Sequence, residues 1–294
     1  MATVSCGTTS DRYQFIARNR ELGVKYLCGW LKVSRSGFYD WRKREESNHL
    51  KEDKRLIQQI TLIHQDSRGT YGSPRVYQAL KKQGIKVAEK RVERLMRDNG
   101  LKGRMVTVTN RQPGLNRFKA AGDNLRLQAD AVTGVNQQWV ADVTYLKLNG
   151  IWFYLAVVMD VYSRRILGWS LANHRTTELT LAALSYAVKG RDLEGDKIFH
   201  TDRGIEYTAY KFRNAVEKQG FKSSFNRPGK CTDNGHMESF FHTLKAELIR
   251  GRVFRGEQEL RYALNSYINQ FYNHKRLHSG IGYHAPAEYE RMAA

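Results

Sequence analysis

Three carboxylates in the second half of the chain have the residue type and the placement that metal-dependent chemistry requires. Asp142 lies within a strand-like segment, 138–146, Asp202 follows a second such segment, 197–201, and Glu238 lies on a helical segment further on. Taken singly, each has an ordinary explanation: an Asp paired with an Arg, a turn, an exposed helix residue. Together they could hold two Mg²⁺ ions, because hard divalent cations prefer carboxylate oxygens. Such ions activate a water or hydroxyl and stabilise the leaving oxygen when a phosphodiester is cleaved.

The elements that must position these carboxylates follow the order of a ribonuclease-H-like fold. The expected strands are 138–146, 152–161, 165–172, 197–201 and 222–226, and the expected helices are 176–189, 207–219, 233–250 and 257–273. In this fold the first and fourth strands are parallel neighbours, so Asp142 and Asp202 would meet on the sheet. The helix after the fifth strand could then present Glu238. The predicted fold class is α/β, a mixed five-stranded sheet with helices, preceded by an all-α helix-turn-helix region.

Short helices are expected over residues 12–45, interrupted at 33–37 by a polar break. A helix, a short break and a basic, aromatic helix form the pattern of a helix-turn-helix DNA-binding unit. A plain helical hairpin with a solvated basic end explains the same pattern equally well. Under the first interpretation, Arg35 and Arg42 are candidate DNA contacts.

Three more helices are expected between residues 49 and 101. Ser73 as N-cap and Pro74 at the first helical position start the second of them, and Gly100 ends the third. This third helix carries four cations, Lys90, Arg91, Arg94 and Arg97, and the three arginines share a broad face because they are spaced three apart. We interpret that face as a phosphate-contacting surface, with an ordinary solvated face as the alternative. Residues 102–137 have weak periodicity and are interpreted as a basic linker.

The chain of 294 residues carries a net charge of +20, which favours a polyanionic partner. Residues 1–130 contain 27 of the 49 basic residues and 13 of the 29 acidic ones. We therefore expect the N-terminal part to be the main DNA- or RNA-binding region. A membrane surface is less favoured, since it would require one basic amphipathic helix with an apolar face. The sequence has no apolar run long enough for a membrane span and no secretory signal, and its three scattered cysteines suit a reducing cytoplasm.

Several motifs taken together resemble one family of proteins. They are residues 67–75, 138–145, 200–204, 233–234, 238–241 and 272–273, with Arg276 and His278. Over nearly its whole length the chain is similar to the second-frame transposase protein of the IS-three family of bacterial insertion sequences, within the DDE transposase and retroviral integrase superfamily. The resemblance implies metal-dependent nicking of element ends followed by strand transfer. It also implies that Asp142, Asp202 and Glu238 are the catalytic ligands of two Mg²⁺ ions, for which Mn²⁺ can substitute.

Further contacts and partners follow from the same resemblance. In this family a basic residue follows the catalytic Glu by seven positions. Lys245 has that spacing and shares a helix face with Glu238, so it is a candidate phosphate contact, with an exposed lysine as the alternative. Arg276 is a candidate DNA contact. The expected partners are the terminal repeats of the element, target DNA, a second copy in a homo-oligomer on paired ends, and the upstream-frame protein as a fusion or partner. The expected location is the bacterial cytoplasm at the nucleoid, with no membrane.

Two other functions remain open, a DNA nuclease of the same fold without strand transfer and a DNA-binding regulator with an inactive catalytic fold. The zinc module of retroviral integrases has no counterpart in the sequence. His274 and His278 are expected to be DNA-facing or structural rather than zinc ligands. The expected organisation is a helix-turn-helix region at 1–48, a second helical DNA-binding region at 49–101, the linker at 102–137, a catalytic core at 138–250 and a C-terminal helix with a basic tail at 251–294.

Overall fold

A computed structural model describes the chain in four ranges, residues 8–44, 47–104, 122–229 and 231–293. The chain divides into two compact units, residues 1–58 and 59–294. None of the helices within the described ranges is long and apolar enough to cross a membrane.

The first unit contains three short helices, α1 Thr9–Arg18, α2 Val24–Trp30 and α3 Arg35–Lys43. Ile16, Leu27 and Phe38, one from each helix, are buried together at its centre. The polar break expected at 33–37 only partly matches the turn between α2 and α3, because α3 already begins at Arg35. At the end of this turn the Ser34 hydroxyl accepts a hydrogen bond of 3.2 Å from the Gly37 N–H, which caps the first turn of α3. Helix, turn and helix therefore lie in the expected order around a small apolar core.

Helix α4, Asn48–Asp66, begins in the first unit and continues into the second. Two further helices follow, α5 Ser73–Lys82 and α6 Glu89–Asp98, and they contact each other and bury their apolar faces. The N-cap of α5 is Gly72 and not Ser73, because the helix begins one residue earlier than the sequence suggested. All three helices predicted for this region are present.

A five-stranded sheet forms the centre of the second unit. Its strands are β1 Gln138–Leu148, β2 Ile151–Asp160, β3 Ile166–Ala172, β4 Lys197–Thr201 and β5 Phe221–Phe225, in the spatial order β3-β2-β1-β4-β5. The pairs β1–β2 and β2–β3 are antiparallel, and the pairs β1–β4 and β4–β5 are parallel. Three helices connect β3, β4 and β5, namely α7 Thr177–Val188, α8 Ile205–Thr208 and α9 Tyr210–Lys218. This is the ribonuclease-H-like topology that the sequence predicted.

Helix α7 packs on β3 at very short range because β3 has a glycine at the contact. A Cβ atom on Gly168 would lie 2.2 Å from the carbonyl oxygen of Ala183 and 2.6 Å from the backbone nitrogen of Ala187. The side chains around this contact, including Leu179 and Leu184 of α7, belong to the main apolar cluster of the unit. A larger residue at position 168 would push the helix off the sheet.

Two long helices predicted after β5 each consist of an α-helix and a π-helical continuation. Helix α10, Gly235–Leu244, continues as a π-helix over Lys245–Ile249, and α11, Glu257–Asn265, continues over Ser266–Tyr272. A last helix, α12, spans Pro286–Met292. Isolated π-helical turns often occur at functional sites, because the extra residue redirects neighbouring side chains.

The segment interpreted as a linker is packed at both of its described ends. The Arg104 N–H donates to the carbonyl of Thr70 at 3.3 Å. Beyond the middle part, 105–121, which lies outside the described residues, the Asp123 carbonyl accepts a hydrogen bond from the N–H of Phe225 at the end of β5. Residues 122–137 therefore belong to the packed second unit, and only the middle of the predicted linker remains an expectation.

The segment 67–75, one of the motifs singled out in the sequence, packs against the C-terminal part of the chain. Tyr71 is buried, and its hydroxyl donates to the Lys275 carbonyl at 3.1 Å and accepts from the Leu277 N–H at 2.8 Å. Arg75 Nε donates to the Leu277 carbonyl at 3.0 Å. This motif therefore fixes the beginning of α5 to the residues that follow α11.

Candidate active site

Two of the three predicted carboxylates lie near each other where β1 and β4 run in parallel. The register pairs Val140 of β1 with His200 of β4; Asp142 follows two residues along β1, and Asp202 comes directly after the end of β4. Burial and the charge of Asp202 raise the pKa of Asp142 well above its usual range. Burial, followed by the charge of Glu206, raises the pKa of Asp202 as well. Burial is the larger cause of both shifts, and the negative charge of a neighbouring carboxylate adds to it.

Backbone hydrogen bonds orient both carboxylates. The Val143 N–H donates to Asp142 Oδ1 at 2.7 Å, and the Gly204 N–H donates to Asp202 Oδ1 at 2.9 Å. Each side chain keeps a second oxygen that these bonds do not use. The second oxygen of Asp202 lies 3.8 Å from an Arg175 nitrogen.

Arg175 and Glu206 belong to the site, although the sequence analysis did not identify either residue. Arg175, between β3 and α7, donates from Nε to Glu206 Oε1 at 2.6 Å, and Glu206 on α8 is almost fully buried. The Arg175 guanidinium thus neutralises Glu206 and lies farther from Asp202. The spacing of Glu206, four residues after Asp202, was the one available signal. Nothing in the sequence around Arg175 indicated a partner.

Gly204 and Tyr207 shape the space around these carboxylates. A Cβ atom on Gly204 would lie 2.7 Å from Glu206 Oε1 and 2.9 Å from Asp202 Oδ1, so a side chain at this position would displace both groups. The Tyr207 hydroxyl is buried and forms no hydrogen bond with any described residue. Burial and the charge of Asp142 raise the pKa of this phenol well above its usual value.

Helix α10 packs along β1, and Glu238 of this helix lies on the side of Asp142 and Asp202. At its start Asn234 Nδ2 donates to the Ala141 carbonyl at 3.1 Å, and just beyond its end the Lys245 ammonium lies 4.7 Å from the centre of the Tyr145 ring. Glu238 follows Asn234 by four residues, a rise of about 6 Å along the helix. The same distance along a strand is about two residues. Glu238 is therefore at the level of the residues that directly follow Ala141.

The three carboxylates do not form a closed cluster. Within the described residues, no three His, Cys, Asp or Glu side chains are close enough together to hold a metal ion. Glu238 is half-buried on α10, the helix that packs along β1, whereas Asp142 belongs to β1 itself. The donor set nevertheless suits a hard divalent cation, because it offers carboxylate oxygens whose mutual repulsion a bound cation would remove.

Lys245 lies close to this acidic site. Burial lowers the pKa of its ammonium, and the charge of Asp142 acts in the opposite direction. Seven residues separate Lys245 from Glu238, so the two share one face of the helix. A cation next to a carboxylate cluster is suited to hold the phosphate of a substrate, and this role remains a prediction.

The other predicted DNA contacts differ in their exposure to solvent. Four are exposed, Arg35 and Arg42 on α3 and Lys90 and Arg97 on α6, while Arg91 and Arg94 on α6 are half-buried. Arg276 differs, since it is almost fully buried and its guanidinium donates to Glu247 Oε1 at 2.8 Å. Its charge therefore stabilises the packing of the C-terminal segment, and it has little surface to offer to DNA.

Three histidines singled out in the sequence have different surroundings. His200 is buried between the Ser224 hydroxyl and the Asn226 side chain, and burial lowers its pKa to about 4, as suits a packed strand residue. His278 packs edge-on against Tyr272 with ring centres 4.7 Å apart. His274 is exposed.

A mixed five-stranded sheet in the order β3-β2-β1-β4-β5, with acids on β1, after β4 and on the helix after β5, has the architecture of the ribonuclease-H-like class of polynucleotidyl transferases. Residues 132–231 and 219–286 match models of the integrase core domain, and residues 51–107 match an HTH-like domain. The chain is 37% identical over 272 residues to the insertion element IS600 uncharacterized 31 kDa protein of Shigella sonnei, covering 91% of this chain and 100% of that protein.

A second relative bears a functional name. The chain is 33% identical over 286 residues to the transposase InsF for insertion sequence IS3A of Escherichia coli (strain K12), which covers 95% of this chain and 98% of that protein. A solved simian T-cell lymphotropic virus intasome, in complex with PP2A regulatory subunit B56 gamma, contains a chain that is 17% identical at a TM-score of 0.45, over 79% of this chain and 74% of that one. The chain belongs to the IS3 family of insertion-sequence transposases and is a DNA transposase of the DDE type.

Proposed function

We propose that this transposase nicks DNA at the ends of its insertion element and joins the freed 3′-hydroxyl to target DNA, with Asp142, Asp202 and Glu238 holding two divalent cations. Mg²⁺ is the proposed ion, and Mn²⁺ is its substitute. The observation that carries the proposal is the placement of Asp142 on β1 and of Asp202 directly after the neighbouring parallel strand β4, together with the raised pKa of both carboxyls. Neighbouring acids that are partly withdrawn from water are costly unless a cation compensates them.

Each residue of the site has a defined part in this reaction. Bound cations would activate the attacking water or hydroxyl and stabilise the leaving oxygen. Asp142 and Asp202 are oriented by their backbone hydrogen bonds, and each keeps one oxygen outside these bonds, that of Asp202 lying 3.8 Å from Arg175. Glu238 supplies the third carboxylate from α10, the helix that packs on β1. Lys245 on the same helix face would hold a phosphate of the DNA strand.

The proposal is tested by removing one carboxylate charge at a time. Asp142→Asn, Asp202→Asn and Glu238→Gln keep the shape of each side chain, and each should lower nicking of the element's own end DNA in Mg²⁺ by at least about 10²–10³-fold, the scale expected for a group that stabilises the transition state. Asp196→Asn is the matched control, because Asp196 is an exposed acid that pairs with Lys222 outside the site. Near-normal nicking by all three variants would refute the assignment.

The joining step separates the transposase reaction from simple nuclease activity. The same reaction with a labelled element end and a plasmid target should yield joined product as well as nicked end. Nicked product alone, in amounts that do not change with target concentration, would favour a nuclease without strand transfer. Binding of DNA with no nicking in Mg²⁺ or Mn²⁺ would favour a regulator.

We further propose that the protein acts as a homo-oligomer on paired element ends. Transposition requires the two ends to be processed together, and each chain supplies one acidic site among its described residues. The partner from the upstream reading frame stays a prediction from the sequence.

A further inference from the structure

A polar cavity lies on the face of α10 that points away from the acidic site. It has a volume of about 250 Å³ and is lined by the side chains of Arg75, Arg164, Arg276, His236 and His278, among others. His236, Ser239 and Thr243 of α10 contribute to its wall, whereas Glu238 and Lys245 lie on the opposite face of the same helix. The cavity is therefore separate from the carboxylates described above.

The cavity holds an excess of positive charge. Among the residues that the structure describes, no Asp or Glu side chain lines the cavity. Arg276 is neutralised by Glu247 behind the wall, at 2.8 Å. Arg75 uses Nε for the Leu277 carbonyl, and within the described residues the Arg164 guanidinium forms no hydrogen bond or ion pair. Two cationic groups thus remain without a carboxylate partner around one small space.

The His278 ring of the wall lies among the arginines. Burial and the charges of Arg276, Arg75 and Arg164 lower the pKa of His278 well below its usual value. The ring is therefore neutral at physiological pH, where it can donate one N–H and accept at the other nitrogen. A neutral ring beside arginines favours an anion and disfavours a cation.

The mouth of the cavity has small polar residues and an open side. Ser239, Ser279 and Gly280 at the rim are exposed, while Tyr272 and Arg276 at the floor are buried. Gly280 places its backbone close to Arg164, since a Cβ atom there would lie 3.9 Å from a guanidinium nitrogen. Hydroxyl and guanidinium donors around an open pocket are the groups that bind phosphate oxygens.

We propose that this cavity is a binding site for a phosphate group, lying across α10 from the acidic site. In a DNA transposase the phosphate of a DNA strand is the ligand with the greatest local supply, and free inorganic phosphate is the other source with the same chemistry. The site goes beyond the proposed cleavage and joining reaction, because it concerns binding and uses none of the three carboxylates.

The experiment compares the full chain with its Arg164→Gln variant in two arms. In the first arm, a duplex that carries the element end is titrated at several salt concentrations, with fluorescence anisotropy as the readout. In the second arm, inorganic phosphate is titrated by calorimetry in the absence of DNA. Arg213→Gln is the matched control, because Arg213 is an exposed arginine on α9 that does not line the cavity.

The two sources give different results. If a DNA phosphate occupies the cavity, Arg164→Gln weakens duplex binding by about ten-fold or more and lowers the salt slope by about one, while Arg213→Gln has a smaller effect. If free phosphate occupies it, only the calorimetric arm separates the two variants. Arg164→Gln and Arg213→Gln proteins that behave alike in both arms would overturn the proposal.

A second variant keeps the test valid if Arg164→Gln does not fold. Ser279→Glu adds a carboxylate at the exposed rim and should abolish phosphate binding in whichever arm shows it, by charge repulsion. Binding by Ser279→Glu equal to that of the unaltered chain in both arms would also overturn the proposal. Asp142→Asn protein should retain phosphate binding, so failure of the cleavage proposal and failure of this one can be told apart.

Discussion

Around Asp142 and Asp202, negatively charged groups outnumber positively charged ones. Asp142 is under the negative charges of Asp202 and Glu206, and the guanidinium of Arg175 and the ammonium of Lys245 oppose them. Arg175 is committed to Glu206, so the other two carboxylates keep most of their repulsion. A site of this kind destabilises the fold in the absence of a cation, and catalytic sites commonly carry such a cost.

Replacing Asp142 should therefore stabilise the metal-free protein while abolishing its activity. The folded-state pKa of Asp142 is raised above its unfolded value of about 3.8. Below that value both states are protonated and nothing is lost. As pH rises, the unfolded state ionises first, so stability falls until pH passes the folded pKa. Asp142→Asn removes this loss, and its melting temperature at neutral pH should rise by about 2–4 °C per kcal/mol regained.

The measurement is a series of thermal unfolding curves in a chelator, from about pH 4 to pH 8, for both proteins. The two melting temperatures should approach each other at the acidic end and separate toward neutral pH. Parallel curves across the whole series would show that Asp142 carries no such cost, and would weaken the account of the acid pair. Asp196→Asn, at an exposed acid, is the control for a general effect of charge.

Gly204 is the second residue whose replacement has a defined consequence. In Gly204→Ala the new methyl group would meet Asp202 Oδ1 and Glu206 Oε1 below 3.0 Å, so both carboxylates must move. We expect nicking to fall by about 10²-fold, the cost of misplacing a catalytic group by roughly 1 Å. Unfolding free energy should drop by about 1–3 kcal/mol from overpacking. Gly256→Ala is the control, because a Cβ atom there meets nothing within 4 Å. Equal nicking by both variants would contradict the expected displacement.

At the scale of elements, the contact between α10 and β1 decides where the third carboxylate lies. Asn234→Ala removes the hydrogen bond to the Ala141 carbonyl and releases the start of α10. Nicking should fall by about 10²-fold, because α10 would no longer hold Glu238 in position beside β1. DNA affinity should stay nearly unchanged. Asn269→Ala, at an exposed position of the π-helical segment, should leave nicking intact. Loss of DNA affinity in Asn234→Ala equal to its loss of nicking would point to a folding defect instead.

The sheet was predictable because local patterns and topology rules fix it. Alternating apolar residues and the Asn149-Gly150 turn place the first hairpin, where both turn residues have positive φ values of 48° and 86°. The parallel pairing of β1 with β4 then brings Asp142 and Asp202 together without any knowledge of side-chain contacts. This part of the candidate site depends on strand order alone, so the sequence was sufficient.

Contacts between distant segments could not be predicted in this way. Arg175 reaches Glu206 from a loop, and a loop arginine has no periodic pattern that would indicate its partner. The packing of residues 122–137 on β5 depends on single hydrogen bonds such as the one from Phe225 to Asp123. Weak periodicity suggested a linker there, because irregular backbone can pack tightly without leaving a repeating pattern in the sequence.

For the whole molecule, the packing of residues 59–104 on the C-terminal segment determines which protein should be used to measure DNA affinity. A fragment ending at residue 130 would lose the partners of Tyr71 and Arg75, so the full chain is the appropriate material. The net charge of +20 predicts that its DNA affinity falls steeply with salt, since each phosphate contact releases counterions.

Mixing of two variants tests the proposed oligomer. Asp142→Asn protein has intact helical regions, and a protein with Arg91→Ala and Arg94→Ala has an intact acidic site. If the helical region on one element end serves the acidic site of another copy, the mixture should regain joined product that neither variant makes alone. The measurement is the yield of joined product against mixing ratio. No recovery at any ratio, with a monomeric mass for the DNA complex in light scattering, would exclude catalysis in trans.

The bond between Tyr71 and the C-terminal segment joins residues that are 204 and 206 positions apart. During translation, at about 5–20 residues per second, Tyr71 waits on the order of 10–40 s before Lys275 and Leu277 are made. Throughout that interval the Tyr71 hydroxyl has neither of its two partners. The helices around Tyr71 therefore reach their final packing only near the end of synthesis, and a chain released before residue 277 would never complete it.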